Sequence, residues 1–359
     1  MAIGIDIREA REGGAGKGRY AFEIAKALIL MADGRDFVLF GNQAKSPLPL
    51  NAHGKYVRIQ GRGPLWHFNL WRHLRRHPVE WMLSPTSFIY PAIAPRSQKT
   101  AIIVHDLIAF LHADTHPWFP TLVERLTLRR TLRKASIICC ISEATKTDLL
   151  SLFPKVATKN IVIAPPAPPS DIVRTEARSM DLPSDFVLSV GTVLPRKNVT
   201  LLLHVMEKLH ASHPELHLVV AGQVPPAGHP SVAVLPQDVR KRIKFLGRVS
   251  DKQLRELYSR AAVFAFPSLY EGFGIPPLEA MACGCPVIAS QRSSIPEAVG
   301  DAALLADPDN IDAWVEGIAN LSTDRLQAER YRERGYAWVK HFSWEESARK
   351  LIVAMRRET

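Results

Sequence analysis

The chain has 359 residues, 47% of them hydrophobic and 23% charged, with 20 Gly, 27 Pro and a net charge of +11. That composition excludes disordered, collagen-like and disulfide-scaffold proteins, and the length suits two domains. The excess charge lies entirely in the first half, since residues 1–170 hold 23 Lys+Arg against 12 Asp+Glu while residues 171–359 hold 23 of each. An anionic partner of that half is implied: nucleic acid, an acidic lipid surface or an anionic substrate.

In chain order, Ile3–Ile7 reads as a buried strand, followed by the glycine-rich Gly13-Gly14-Ala15-Gly16-Lys17-Gly18 and a helical pattern over Tyr20–Met31. Short apolar strands are predicted at Phe37–Phe40, Val57–Ile59, Trp81–Leu83, Thr100–Val104, Ser136–Ile141 and Ile161–Ala164, with helical patterns between several of them. The four prolines of Ala164–Ser170 can continue neither element, so a domain boundary is expected there. Alternation then restarts: strands at Phe186–Val193, Leu216–Ala221, Ile243–Leu246, Val263–Pro267 and Pro286–Ala289, helices at Val199–Ala211, Asp251–Ala261 and Pro276–Ala282. Helical patterns run from Ile311 to the end. The fold class expected is α/β, with a mainly parallel sheet in each half covered on both faces.

Three loops carry chemistry. A glycine-rich turn between strand and helix brings backbone amides close to an anion. Lys17 is followed by Gly18, not Ser or Thr, so the turn is not a Walker loop, and a dinucleotide fingerprint would need an acid where the second strand gives Gly41-Asn42. A phosphate or sugar contact and a plain tight turn both remain open. In the second half, Gly191-Thr192-Val193-Leu194-Pro195-Arg196-Lys197-Asn198 joins a strand to a helix at the sheet edge where α/β proteins bind ligands. Two adjacent cations there can grip a diphosphate, with Asn198 as the helix cap, whereas cations at a helix start are otherwise disfavoured by its dipole. In Pro267–Gly284 two glycines expose amides and Pro276-Pro277 opens a helix, which places Glu271 on the loop and Glu279 in the first helical turn. A carboxylate accepts two hydrogen bonds from vicinal sugar hydroxyls. The plainer readings are a solvated loop acid for Glu271 and dipole complementation for Glu279.

On these motifs, together with His105-Asp106-Leu107, Ser142-Glu143-Ala144-Thr145-Lys146 and Phe245-Leu246-Gly247, the chain resembles the family 4 glycosyltransferases and, within them, a bacterial mannosyltransferase-like branch. The resemblance covers nearly the whole chain, and the two glutamates in their glycine-proline frame are its most specific element. It implies a GT-B fold: two Rossmann-like domains with parallel sheets facing a central cleft. The expected division is residues 1–166 as an acceptor-binding domain, 167–340 as a nucleotide-sugar-binding domain, and 341–359 as a helix crossing back to the first.

The activity implied is retaining transfer of a hexose, mannose from GDP-mannose, to a lipid-linked or polysaccharide acceptor. No metal or cofactor is implied. Arg196 and Lys197 would bind the donor diphosphate; family members often carry Arg at the position of Thr192, so Arg196 takes that part here. Glu279 would hold the ribose and Glu271 the transferred sugar, with Gly272 and the amides of Phe273 and Gly274 beside the sugar and phosphate. Arg248 and Val249 would lie along the base, Gly16, Lys17 and Gly18 would meet the diphosphate, and His105 would face the reacting sugar. The alternatives are a nucleotide-sugar epimerase of the same fold and a non-catalytic nucleotide- or membrane-binding protein.

Positive charge concentrates in Trp66–His77 and Arg125–Lys134. On a helix, Trp66, Leu70 and Leu74 form one stripe with arginines interleaved, which suits either docking on an anionic membrane or packing into a core with solvated arginines. No nucleic-acid recognition module is present, so no nucleic acid is expected. Asp307-Pro308-Asp309 resembles a metal-binding triplet without the rest of that context. Cys139-Cys140 and Cys283/Cys285 lack the spacing of a zinc or redox pair and read as reduced packing residues. No apolar run reaches the ~18 residues of a spanning helix, and Asp6 and Arg8 interrupt the opening stretch, so a cytoplasmic location is expected, peripheral to the inner face of the membrane if the basic segment docks.

Overall fold

The computed structural model describes residues 2–12, 16–31, 36–50, 52–112, 118–223 and 229–358. Gly13-Gly14-Ala15 of the predicted glycine loop lie outside the described residues. Two compact units are present, one of residues 1–166 with 343–359 and one of residues 167–342.

The first unit is built on strands β1 (Ala2–Asp6), β2 (Asp36–Gly41), β3 (Gly54–Arg58), β4 (Trp81–Ser84), β5 (Lys99–Val104), β6 (Ile137–Cys140) and β7 (Asn160–Ile163). They form one parallel sheet in the order β3-β2-β1-β4-β5-β6-β7. Helices α1 (Lys17–Leu30), α2 (Gly63–Arg76), α3 (Ile89–Ile93), α4 (Ile108–Leu111), α5 (Trp118–Lys134) and α6 (Glu143–Leu152) connect them. Central strands such as β4, β5 and β6 are buried almost throughout, because helices cover both faces of a parallel sheet and leave no polar side. The stripe of Trp66, Leu70 and Leu74 on α2 packs into this core with Phe40 and Met82. These three residues are therefore unavailable to a membrane, and of the two readings of 66–77 the structure supports core packing. Ser142 caps α6, its hydroxyl accepting from the Thr145 amide at 2.9 Å.

The second unit repeats the plan with β8 (Phe186–Val190), β9 (His217–Ala221), β10 (Ile243–Gly247), β11 (Val263–Phe266), β12 (Val287–Ser290) and β13 (Leu304–Ala306), all parallel, in the order β10-β9-β8-β11-β12-β13. Its helices are α7 (Val199–Leu209), α8 (Pro230–Ala233), α9 (Gln237–Arg240), α10 (Asp251–Arg260), α11 (Ile275–Ala282), α12 (Ile295–Val299), α13 (Ile311–Thr323) and α14 (Arg325–Val339). Leu202, Val205 and Met206 of α7 and Trp314 and Ile318 of α13 close one face of the sheet. The last helix, α15 (Trp344–Arg357), belongs to the first unit, where Trp344 meets Tyr20 of α1 edge-on at 5.1 Å between ring centroids and the Ser347 hydroxyl donates to the Pro165 carbonyl. All four cysteines are free and buried, and burial raises the thiol pKa of Cys139 and Cys283 to about 12, so they stay protonated and inert. Among the described residues no helix is long and apolar enough to cross a membrane.

Candidate active site

In the second unit β8 lies between β9 and β11, so the chain leaves β8 toward one side while the loop after β11 approaches from the other. This reversal of strand order opens a crevice beyond the carboxyl ends of β8 and β11. Both motif-bearing loops emerge there. The backbone ties them together, the Leu269 amide donating to the Arg196 carbonyl at 2.7 Å.

Arg196 and Lys197 occupy a single 3-10 turn, Pro195–Lys197, ahead of α7. Asn198 does stand at the start of α7, but its side chain caps nothing; its backbone is left-handed, with φ 51°, and turns the chain into the helix. The cations therefore stand just before the positive dipole end of the helix, and it is the Glu271 carboxylate that offsets their charge there. Arg196 Nη1 donates to Glu271 Oε1 at 3.2 Å and to the Tyr270 carbonyl at 3.3 Å, and Lys197 Nζ donates to the same Oε1 at 2.5 Å. Lys197 also lies 5.0 Å from the centroid of the Phe266 ring. All three charged side chains are largely withdrawn from water. Two cations against one carboxylate leave a positive remainder in a low-dielectric crevice, which suits an anion. Among the described residues Arg196 Nε and the Ser268 hydroxyl are buried there without a hydrogen-bond partner, which leaves both able to pair with a ligand.

Glu279 is the fifth residue of α11, which puts it in the second turn, not the first as its sequence position suggested. Dipole complementation therefore does not account for it. It is buried, and the Tyr258 hydroxyl of α10 donates to its Oε2 at 3.0 Å. The helix begins after Gly274, whose φ of +114° is one that side-chain-bearing residues rarely adopt. The Glu271–Gly274 loop is fastened from below by two serines after β12: Ser293 Oγ donates to the Glu271 carbonyl, and Ser294 Oγ to the carbonyls of Glu271 and Phe273. Gly272 is half-buried, and Phe273 is buried edge-on against Phe342. Thr192 is exposed on the loop after β8, and exposed Arg248 and half-buried Val249 follow β10 on the same sheet edge. Tyr258, Ser268, Ser293 and Ser294 were not singled out by the sequence, because isolated hydroxyls in loops and helices carry no pattern.

In the first unit, Gly16 precedes α1 without a side-chain cap, and a Cβ on Gly18 would stand 2.8 Å from the Glu9 carbonyl, so close backbone packing explains that glycine. Lys17 Nζ lies 3.8 Å from Asp106 Oδ2 and 3.9 Å from Glu124 Oε1. Burial lowers its pKa, but these carboxylates outweigh that and raise it. A diphosphate at this loop would have to compete with both of them. His105 follows β5 and is buried; its Nε2 donates to the Pro85 carbonyl at 2.6 Å, which leaves Nδ1 as the ring's acceptor. Burial, then Lys17, lowers its pKa to about 4, so the ring is neutral at pH 7. Beyond β1, Arg8 Nη1 donates to buried His67 Nε2 at 2.8 Å, a further polar pair at this sheet edge that the sequence reading passed over.

The acidic triplet has a structural role: Asp307 and Asp309 both pair with Arg292, and the Asp307 carboxylate accepts from the Asp309 amide. Among the described residues no three His, Cys, Asp or Glu side chains group as metal ligands.

A family profile described as glycosyl transferases group 1 matches residues 176–338, the stretch that carries Arg196, Lys197, Glu271 and Glu279. Among curated relatives, the O-antigen chain mannosyltransferase B of Escherichia coli is 30% identical over 366 residues, covering 95% of this chain and 96% of the relative. The chain belongs to the group 1 glycosyltransferases. It is a hexosyltransferase of the bacterial mannosyltransferase-like branch. Solved structures agree on the GT-B fold. A sucrose-phosphate synthase from Thermosynechococcus elongatus superposes with a TM-score of 0.75 at 19% identity, over 99% of this chain and 98% of that one. The Anabaena protein HepE, in complex with UDP and glucose, gives 0.74 at 17% identity over 99% and 100%. The matched stretch thus includes the cation pair with Glu271, and Glu279 on the helix that follows the same loop.

Proposed function

We propose that this glycosyltransferase moves mannose from GDP-mannose, with retention, to a saccharide acceptor carried on a lipid or on a growing polysaccharide. The observation that carries the reading is the convergence of Arg196, Lys197 and Glu271 at the β8/β11 crevice, with two cations sharing one carboxylate oxygen. In the transfer, the bond from the sugar C1 to the diphosphate breaks, an acceptor oxygen bonds to C1, and the acceptor's proton passes to the leaving phosphate. Negative charge grows on the diphosphate and positive charge on the sugar. Arg196 and Lys197 stabilise the first and Glu271 the second, the three being held together at the crevice by their ion pairs until the donor binds between them. Two carboxylates flanking a glycosidic bond would suit hydrolysis, whereas here one of the pair, Glu279, is buried under Tyr258 and serves to bind the ribose. The relative named as a mannosyltransferase supports the choice of sugar.

The test is a thermal-shift panel of GDP, UDP and ADP with their sugars, since a ligand that binds only the folded state raises its stability by RT ln(1 + [L]/Kd). GDP-mannose is expected to give the largest shift. A clear preference for a UDP or ADP sugar would overturn the donor assignment. A second expectation concerns metal. Arg196 and Lys197 supply the charge that a divalent ion would otherwise bring to the leaving group, so transfer should persist in EDTA. Activity lost to EDTA and restored by Mg²⁺ or Mn²⁺ would contradict that.

A further inference from the structure

We infer that α5 is a docking surface for an anionic lipid bilayer. At 100° per residue, Trp118, Phe119, Leu122, Leu126, Arg129 and Arg133 fall within one arc of the helix, while Thr121, Leu128, Thr131 and Leu132 lie on the other side and are buried. Within the described residues of the first unit the outer arc stands exposed: Trp118 is 76% exposed, Phe119 59%, Leu122 45% and Leu126 61%. Four large apolar side chains in one exposed row mark an interaction surface, unlike the single exposed apolar residues common on any protein.

The same arc changes character along its length. Its amino-terminal half is apolar and its carboxyl-terminal half basic, with Arg129 and Arg133 exposed. Among the described residues neither arginine is paired with a carboxylate, and the one acid of α5, Glu124, lies off the arc beside Lys17. An amphipathic helix with aromatic and leucine side chains for the acyl boundary and arginines for the headgroups matches a negatively charged bilayer. A second copy of this chain fits less well. Parallel pairing would set arginine against arginine, and antiparallel pairing would lay arginines over leucines. The charge excess of residues 1–170 acts in the same direction. On α2, by contrast, Trp66, Leu70 and Leu74 are buried.

The full chain is tested by co-sedimentation with vesicles of phosphatidylcholine alone and of phosphatidylcholine with half phosphatidylglycerol, without donor or acceptor, so the result stands apart from the proposed transfer. Binding is expected only to the anionic vesicles and is expected to fall at least tenfold between 50 mM and 500 mM salt. The double variant Leu122→Ser with Leu126→Ser and the double variant Arg129→Gln with Arg133→Gln should each bind at least tenfold more weakly. Both should keep the wild-type unfolding temperature and the wild-type rate on a short soluble acceptor, because the altered side chains face outward. Phe68→Ser on α2 should bind like wild type. Equal binding to neutral vesicles, no binding to either, or full binding by the α5 variants would overturn the inference. So would a dimer that the Leu122→Ser, Leu126→Ser pair dissociates, because a second copy would then be the occupant.

Discussion

Replacing Glu271 by Gln is expected to lower kcat by about 10²–10³ while free nucleoside diphosphate still binds. The estimate is the usual cost of removing one preorganised electrostatic partner of the transition state, ~2.7–4 kcal/mol. Without ligand, the Glu271 carboxylate holds both Arg196 and Lys197 and offsets part of their charge. The neutral amide releases both cations toward phosphate, so nucleotide affinity should stay the same or rise. Glu279→Gln should behave differently. Its contacts, including the hydrogen bond from Tyr258, exist before and during reaction, so the variant should mainly raise KM for the donor. Steady-state kinetics and a Kd for the free diphosphate on each variant separate the roles. Near-normal kcat in Glu271→Gln, or a loss of nucleotide affinity matching that of Glu279→Gln, would refute the division of labour between the two glutamates.

The alternation of short apolar strands with helices was legible in the sequence, because strands buried on both faces of a parallel sheet are almost wholly apolar, as Val263–Phe266 and, up to Ser290, Val287–Ala289 are. The loops bearing Arg196, Lys197 and Glu271 were legible because cations and acids beside a strand end stand out against that background. Their mutual contact was not, since 74 residues separate Lys197 from Glu271 and only strand order brings them together. Ser293 and Ser294 escaped notice for the same reason, reaching the Glu271 loop from a neighbouring strand. The helices show a different gap. In α5, Leu122 and Leu126 share one stripe and Leu128 and Leu132 another, and periodicity alone does not say which enters the core. In α2 the single aromatic stripe that invited a membrane reading is the core stripe. Glu279 shows how much a boundary matters. Because α11 already starts at Ile275, the residue moves from the first turn to the second, and its dipole explanation goes with it.

Glu256 should prove a stability determinant whose contribution depends on acid. It lies on α10 and is buried, accepting from the Ser179 amide and hydroxyl at 3.0 and 2.6 Å, from the Met180 amide at 3.0 Å and from Arg260 Nη1 at 2.8 Å. Arg260 in turn donates to the Met180 carbonyl, so the carboxylate fastens the extended segment before β8 to the helix. Burial by itself would raise the carboxyl pKa. The hydrogen bonds from Ser179, Met180 and Arg260 overturn that and lower it from 4.5 to about 2. Because the folded value is the lower one, the unfolded chain takes up the proton first as pH falls. The stabilisation is nearly complete above about pH 4.5 and is lost on the way down through about pH 2, amounting to roughly 3 kcal/mol at neutral pH. Glu256→Gln leaves Arg260 without its anion and turns amide hydrogens toward the other donors, so urea unfolding at pH 7 should show about that loss. At pH 3.5, where roughly four-tenths of the linkage energy is gone from the wild type, the gap between the two proteins should narrow in proportion. A gap of the same size at both pH values would mean that packing of the side chain, not the ionised carboxylate, holds the segment to α10.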